Sequence, residues 1–108
     1  MARNYIAEGE HFDITAGAAY ASGDVVVLTD TIGIALGAIA SGKAGVVRTE
    51  GVFQLAKLST DNIGQGQKVY WDNTNKRITL TSAGNTYAGK AYAAAGASTT
   101  SVQVKINV

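Results

Sequence analysis

"GQGQKVYWDNTNKRITL", residues 64–80, decides how the rest of the chain is read. Val69 and Trp71 fall on one side of an extended backbone and Lys68 and Tyr70 on the other, the period-two alternation of a half-buried strand. Asp72-Asn73-Thr74-Asn75 follows with turn chemistry, because Asn and Asp side chains bond their own main chain and tolerate the left-handed region. Ile78 and Leu80 then alternate with Arg77 and Thr79. The segment predicts a β-hairpin with a four-residue connection. One of its two aromatics packs inward and the other is left outside.

The same period closes the chain. In "SVQVKINV", residues 101–108, Val102, Val104, Ile106 and Val108 share one face, while Gln103, Lys105 and Asn107 share the other. Further strands are expected at 5–7, 12–15, 25–28, 32–39, 45–49, 52–58 and 86–93. Helix signals are poor. Thirteen glycines are spread so that few windows of three turns lack one, and each interior Gly costs about 1 kcal/mol against Ala. Proline is absent, so edge strands depend on charge, bulges or pairing with another chain. The expected fold is all-β, a small compact barrel or sandwich of short antiparallel strands.

A faint internal echo runs through the chain. "SGDVVVLTD" (22–30) parallels "QGQKVYWDN" (65–73), with Gly23 matching Gly66 and Val26 matching Val69. Each is followed by a Gly- and Ala-rich stretch, from Gly33 and from Gly89, and then by a Val-rich strand. Two similar β units or chance in a Gly/Ala/Val-rich chain both account for this, and the sequence leaves both open.

Bulk properties narrow the function classes. At 108 residues the chain reads as one domain over 1–108, hiding about 60–70% of its extended surface on folding. Much of its apolar fraction is Ala, and aromatics are limited to one Trp, five Tyr and two Phe. The core is thin, so self-association is expected to contribute to stability. With a formal charge of +1 and scattered Lys and Arg, there is no electrostatic footprint for nucleic acid or anionic lipid. Absence of Cys removes disulfides, thiolate metal sites and Cys nucleophiles. The opening "MARNYIAEGEHF" lacks an apolar signal-peptide core. The longest run of apolar residues and Gly, "IGIALGAIA" (32–40), falls short of the roughly 20 residues a membrane span needs. A soluble protein made in the cytoplasm is the expectation.

Chemistry-bearing motifs are weak. "GAIASGKA" (37–44) nearly fits a phosphate-cradling loop, but Ala44 replaces the hydroxyl that would hold magnesium. The following "GVVRTEG" favours a strand, so no helix N-terminus would face a phosphate. A turn at Ser41-Gly42-Lys43 is the expected outcome. Glu8, Glu10 and His11 lie close together, with Asp13 beyond; this is the only grouping from which a metal-dependent hydrolase would be built, and it reads as a solvated edge. No Gly-x-Ser-x-Gly elbow occurs. An enzyme is not expected, and neither a cofactor nor a metal. Tyr70, Trp71, Tyr87 and Tyr92 suit a stacking platform or a protein interface, since Tyr and Trp are enriched in interfaces. The interface is the preferred reading.

The order of the segments "ARNYIAEGEHFDIT", "ASGDVVVL", "IGIALGAIASG", "GVVRTEGVFQLAK", "IGQGQKVYWDNTNKRIT" and "TYAGKAYAAAGASTTSVQVKIN" resembles the small capsid cement, or head decoration, proteins of tailed bacteriophages. The resemblance covers essentially the whole chain, and "EGVFQLAK" and "GQKVYWDNTNKRIT" carry it most specifically. Ala56 departs from the Leu-Pro-Lys of similar chains, which bears on local loop geometry. The resemblance implies a non-enzymatic virion protein, made in the cytoplasm of a bacterial host. It would bind the outer capsid surface at junctions of the major capsid protein, reinforcing the shell after expansion. It also implies a homo-oligomer, with a trimer favoured.

Candidate capsid or subunit contacts are Arg3, Asn4 and Tyr5 in the N-terminal stretch and Tyr70, Trp71 and Arg77 in the hairpin. Residues 1–6 form a candidate arm. The alternative is a carbohydrate-binding surface module using exposed Tyr and Trp.

Overall fold

The computed structural model describes residues 11–108. These residues form two antiparallel sheets with no helix. In the first, β1 (His11–Thr15), β2 (Val25–Leu28), β3 (Thr31–Ala35) and β4 (Ala44–Arg48) lie in the order β1-β4-β3-β2. In the second, β5 (Val52–Ala56), β6 (Lys68–Asp72), β7 (Arg77–Thr79), β8 (Thr86–Ala91) and β9 (Ser101–Ile106) lie in the order β5-β9-β8-β6-β7. A parallel bridge between Lys57 and Ile78 joins the outer strands of the second sheet. There the Leu58 N–H donates to the Ile78 carbonyl at 2.8 Å. The five strands thus curl toward a barrel, which protects edges that the chain has no proline to blunt.

The repeat is real in the topology. Strands β1, β2, β3 and β4 correspond to β5, β6, β8 and β9, and the two sheets share one strand order once β7 is set aside. The hydrogen bonds repeat as well. Gly23 donates to Ala35 as Gly66 donates to Ala91, both at 2.8 Å, and Ala35 donates to Asp24 as Ala91 donates to Gln67, both at 2.9 Å. Tyr20 and Ile39 exchange both backbone bonds, as do Ile63 and Ala95. Even the turn bonds match: the Ala21 N–H donates to the Asp24 carboxylate and the Gly64 N–H to the Gln67 carboxamide. The hairpin tip with β7 is what the second unit adds.

Expected strand 52–58 ends at Ala56, and expected strands 32–39 and 86–93 are cut short for a reason shared by both units. After Ala35 and after Ala91 the chain bends, so that Ile39 and Ala95 return to bridge Tyr20 and Ile63. The closing strand ends at Ile106, not Val108. Asn107 takes a positive φ of 57°, and Val108 leaves the buried face with 47% exposure. The expected strand at 5–7 lies outside the described residues.

Alternation along the strands supplies the core. Leu55, Val69, Trp71, Ile78, Val102, Val104 and Ile106 from the second unit pack with Val25, Ile32 and Ile34 from the first. A smaller cluster, Ala16, Val26, Ala35, Ile39 and Val47, lies on the opposite face of the first sheet. Fully burying an Ile or Val contributes about 1.5–3 kcal/mol, so the shared cluster joins the two sheets. At Gly33 a Cβ would sit 2.6 Å from a Val47 methyl, so only glycine lets β3 lie against β4 there.

Two local devices set the geometry of the second sheet. Between β6 and β8 the register shifts, with Val69 opposite Gly89 but Tyr70 opposite Tyr87, so Ala88 is the extra residue of a bulge. Gly89 takes a φ of 142°, and a Cβ there would strike the Lys105 carbonyl oxygen. At the end of β9, the Asn107 carboxamide reaches across to the first sheet. It donates to the carbonyls of Ile32 at 2.7 Å and Thr49 at 2.9 Å, and accepts from the Thr31 hydroxyl at 2.6 Å.

Candidate interaction surface

The outward face of the five-stranded sheet collects most of the contact chemistry. Strand alternation turns Val52 and Gln54 on β5, Gln103 and Lys105 on β9, Lys90 on β8 and Lys68 on β6 to solvent. Just past β8, the Tyr92 N–H donates to the Gln103 carbonyl at 2.8 Å, and its side chain is 54% exposed. Val52 is 43% exposed at the far edge. Leu36, the counterpart of Tyr92 in the first unit, is also exposed, as is Phe12 on β1.

Tyr70 and Tyr87 pair directly across β6 and β8, their rings edge to face with centroids 5.7 Å apart at 68°. That geometry sets a positive ring edge against a negative face. The Tyr87 hydroxyl donates to the Val108 carbonyl at 2.7 Å. Partial burial, with the Tyr70 phenol beside it, holds its pKa above the ordinary 10.0.

The predicted contact residues separate. Tyr70 is half-buried on the outward face. Trp71 is a core residue, 5% exposed, whose indole N–H donates to the Asn73 side-chain oxygen at 3.1 Å; it presents no stacking surface. Period-two reading placed the two aromatics on opposite faces, and the inward one is the tryptophan. Arg77 is half-buried on β7 opposite Asp72, and its Nε has no hydrogen-bond partner among the described residues. Arg3, Asn4 and Tyr5 lie outside the described residues, as do Glu8 and Glu10.

The hairpin connection has four residues, Asn73 to Lys76, and lies one position later than expected. Lys76 takes the positive φ, 55°, and donates to Asn73 Oδ1 at 2.8 Å. Asp72 accepts from the Asn75 side chain at 2.8 Å and from the backbone of Thr74 and Asn75. Those bonds, the Asn75 side chain foremost, hold its carboxyl below the ordinary 3.8, with a smaller pull from Arg77. Thr79, opposite Tyr70 on the ladder, is 4% exposed; its hydroxyl donates to Asp61, which also accepts from the Leu80 N–H, both at 2.9 Å.

Between the hairpin tip, β5 and the turn before β2 lies an open cleft of about 550 Å³, lined among others by Tyr20, Asp24, Gln54, Trp71 and Lys76. Among the described residues, no group of three His, Asp or Glu is placed to hold a metal ion. The near-miss phosphate loop is a turn at Ser41-Gly42-Lys43, with Gly42 at a φ of 79°, leading into β4. Ala56 is the last residue of β5, paired with Ser101. No helix among the described residues is long and apolar enough to cross a membrane.

Sequence reading missed two features of this surface. Tyr87 was considered only as one of four aromatics, although its pairing with Tyr70 depends on the bulge. The lysines look scattered in the chain, yet the ladders bring Lys68, Lys90 and Lys105 into one row.

A family model described as phage cement protein matches residues 6–106. Comparison with curated proteins and with solved structures finds no match.

Proposed function

The chain belongs to the phage cement protein family, and from that premise we propose that it binds the outer surface of a phage capsid and reinforces the shell without catalysing a reaction. The observation that carries this reading is the outward face of the second sheet. Tyr92 and Val52 stay exposed there beside the Tyr70–Tyr87 pair, on a small body with two short sheets. Such a face suits contact chemistry, with aromatic anchors within a polar surround.

A cement subunit works by valency. Where one copy, or an oligomer of copies, bridges several major capsid protein subunits, each further contact forms at high effective concentration. Modest individual contacts then add to a durable clamp. A trimer is the oligomer we propose, and the exposed Leu36 and Phe12 of the first unit are apolar surface for contacts between copies. The carbohydrate alternative has no comparable support, because Trp71 is buried in the core.

Cosedimentation with purified expanded heads tests the reading. Binding is expected, and heads carrying the protein should survive higher temperature and osmotic stress than bare heads. Equal survival at full occupancy would remove the reinforcing role. No cosedimentation would remove the capsid role altogether. Deleting residues 1–6, with Arg3, Asn4 and Tyr5, tests the proposed arm by whether head binding weakens.

A further inference from the structure

The register of the second sheet places Lys68 opposite Lys90, and Lys90 opposite Lys105. All three side chains are exposed. None has a hydrogen-bond or ion-pair partner among the described residues. Directly opposed residues have Cβ atoms about 5 Å apart, and like charges in such positions repel and destabilise the sheet. Lysines often guard sheet edges, and Lys68 stands where β6 runs past its pairing with β7, but Lys90 and Lys105 lie on the interior strands β8 and β9. Edge protection therefore accounts for Lys68 at most and gives no reason for Lys90 and Lys105 beside it.

The repeat offers a comparison within the molecule. The corresponding row of the first sheet runs His11–Arg48–Ile34–Val25, against Val52–Lys105–Lys90–Lys68 in the second. In the first unit Ile34 and Val25 are buried in the cluster that joins the two sheets. The same face is thus an interface in one unit and a charged, uncovered surface in the other.

We infer that the Lys68–Lys90–Lys105 row docks against a carboxylate-rich patch on a protein partner, which rests on the capsid reading and assigns that patch to the shell. Acidic side chains would relieve the repulsion and set the register of docking. The flanking Tyr92 and Val52 would then supply the apolar contact. Complementary charge of this kind accelerates encounter and makes it salt-sensitive. A row of three charges on a chain whose formal charge is +1 fits a local protein patch better than the broad basic surface that nucleic acid requires.

The test compares the wild type with two triple variants, Lys68→Gln/Lys90→Gln/Lys105→Gln and Lys68→Arg/Lys90→Arg/Lys105→Arg, in cosedimentation with purified expanded heads from low to physiological salt. The Gln variant should lose head affinity by about tenfold or more, in keeping with the rate gain that charge steering provides, and its salt dependence should flatten. The Arg variant should retain both. A melting temperature of the Gln variant no lower than that of the wild type establishes that it folds. If the Gln variant binds heads as the wild type does, with the same salt dependence, the inference falls while the capsid reading stands. If the wild type fails to bind heads at any salt, the capsid reading falls and this inference with it. Should duplex DNA or phosphatidylserine vesicles bind the wild type as tightly as heads do, and lose binding in the Gln variant, the protein partner is overturned.

Discussion

Asn107 stands in for a strand opposite Ile32. Its carboxamide accepts from the Ile32 N–H at 3.3 Å and donates to the Ile32 carbonyl at 2.7 Å, satisfying both main-chain groups of one residue from a side chain 75 positions away. The same amide group also donates to Thr49. One planar group therefore ties the end of the second sheet to two strands' worth of backbone in the first. Its positive φ of 57° suits Asn better than most residues.

Replacing Asn107 by Ala removes those bonds and leaves the Ile32 and Thr49 groups to find water. An unmade buried hydrogen bond costs about 1–3 kcal/mol, so urea denaturation should show a loss of about 2–4 kcal/mol. Asn107→Asp keeps the acceptor but sets a carboxylate oxygen against the Ile32 and Thr49 carbonyls, and should cost at least as much. A change within error for Asn107→Ala would mean the clamp contributes nothing.

Gly89→Ala should be more damaging than an average glycine substitution. The new Cβ meets backbone at Lys105, not a movable side chain, and the φ of 142° is one that L residues rarely adopt. A destabilisation of about 3 kcal/mol is expected, with the amide resonances of Lys90 and Lys105 shifted. Gly37→Ala, with open space around its Cβ position and no positive φ, is the control and should be nearly neutral.

Lys57 is 4% exposed, yet its ammonium meets no carboxylate among the described residues; it donates to the carbonyls of Leu58, Gly96 and Thr99 at 3.0, 3.2 and 3.1 Å. The corresponding residue of the first unit is Ala16, since the Ala16 N–H donates to Lys43 as the Lys57 N–H donates to Thr100. Lys57→Met should keep the aliphatic packing and strand three acceptors. The expected cost is about 2 kcal/mol by thermal or urea unfolding, with faster hydrogen exchange in the turn around Ser98.

Acid should loosen the hairpin tip before the body. Asp72 titrates below its ordinary 3.8 because the folded tip bonds its charged form. Its contribution is complete above 3.8 and is lost as pH falls from there through the lower folded value. Amide shifts of Thr74 and Asn75 followed by NMR should move together in that window, and Asp72→Asn should abolish the shared transition. At the alkaline end, the raised Tyr87 pKa works in the opposite sense. Stability is lost as pH rises past 10.0 toward the folded value, because the unfolded phenol ionises first.

Period and turn chemistry made much of the fold legible. The strand at 25–28 matches β2 residue for residue, and Val69, Trp71, Val102, Val104 and Ile106 are all buried where alternation placed them. The repeat was visible only as an echo, because what the units share is mostly backbone geometry: Asp24 and Gln67 make the same turn bond with different side chains. Thr79 is buried on the side away from the core because Asp61 accepts its hydroxyl and the Leu80 N–H, an event no local pattern encodes. Of the candidate residues in the hairpin, Tyr70 and Arg77 lie on the outward side and Trp71 on the core side, while Arg3, Asn4 and Tyr5 lie outside the described residues. The lysine row was invisible, since it exists only in the ladder register.

Tyr87 and Lys90 stand three positions apart in one strand, an odd interval that plain alternation would send to opposite sides of the sheet. Ala88 absorbs the extra step, so an aromatic and a cation on one strand look out of the same side. Paired as a plain ladder through Ala88, the same residues would face opposite ways: the chemistry displayed to a neighbour is governed by a counting error that the strand preserves on purpose.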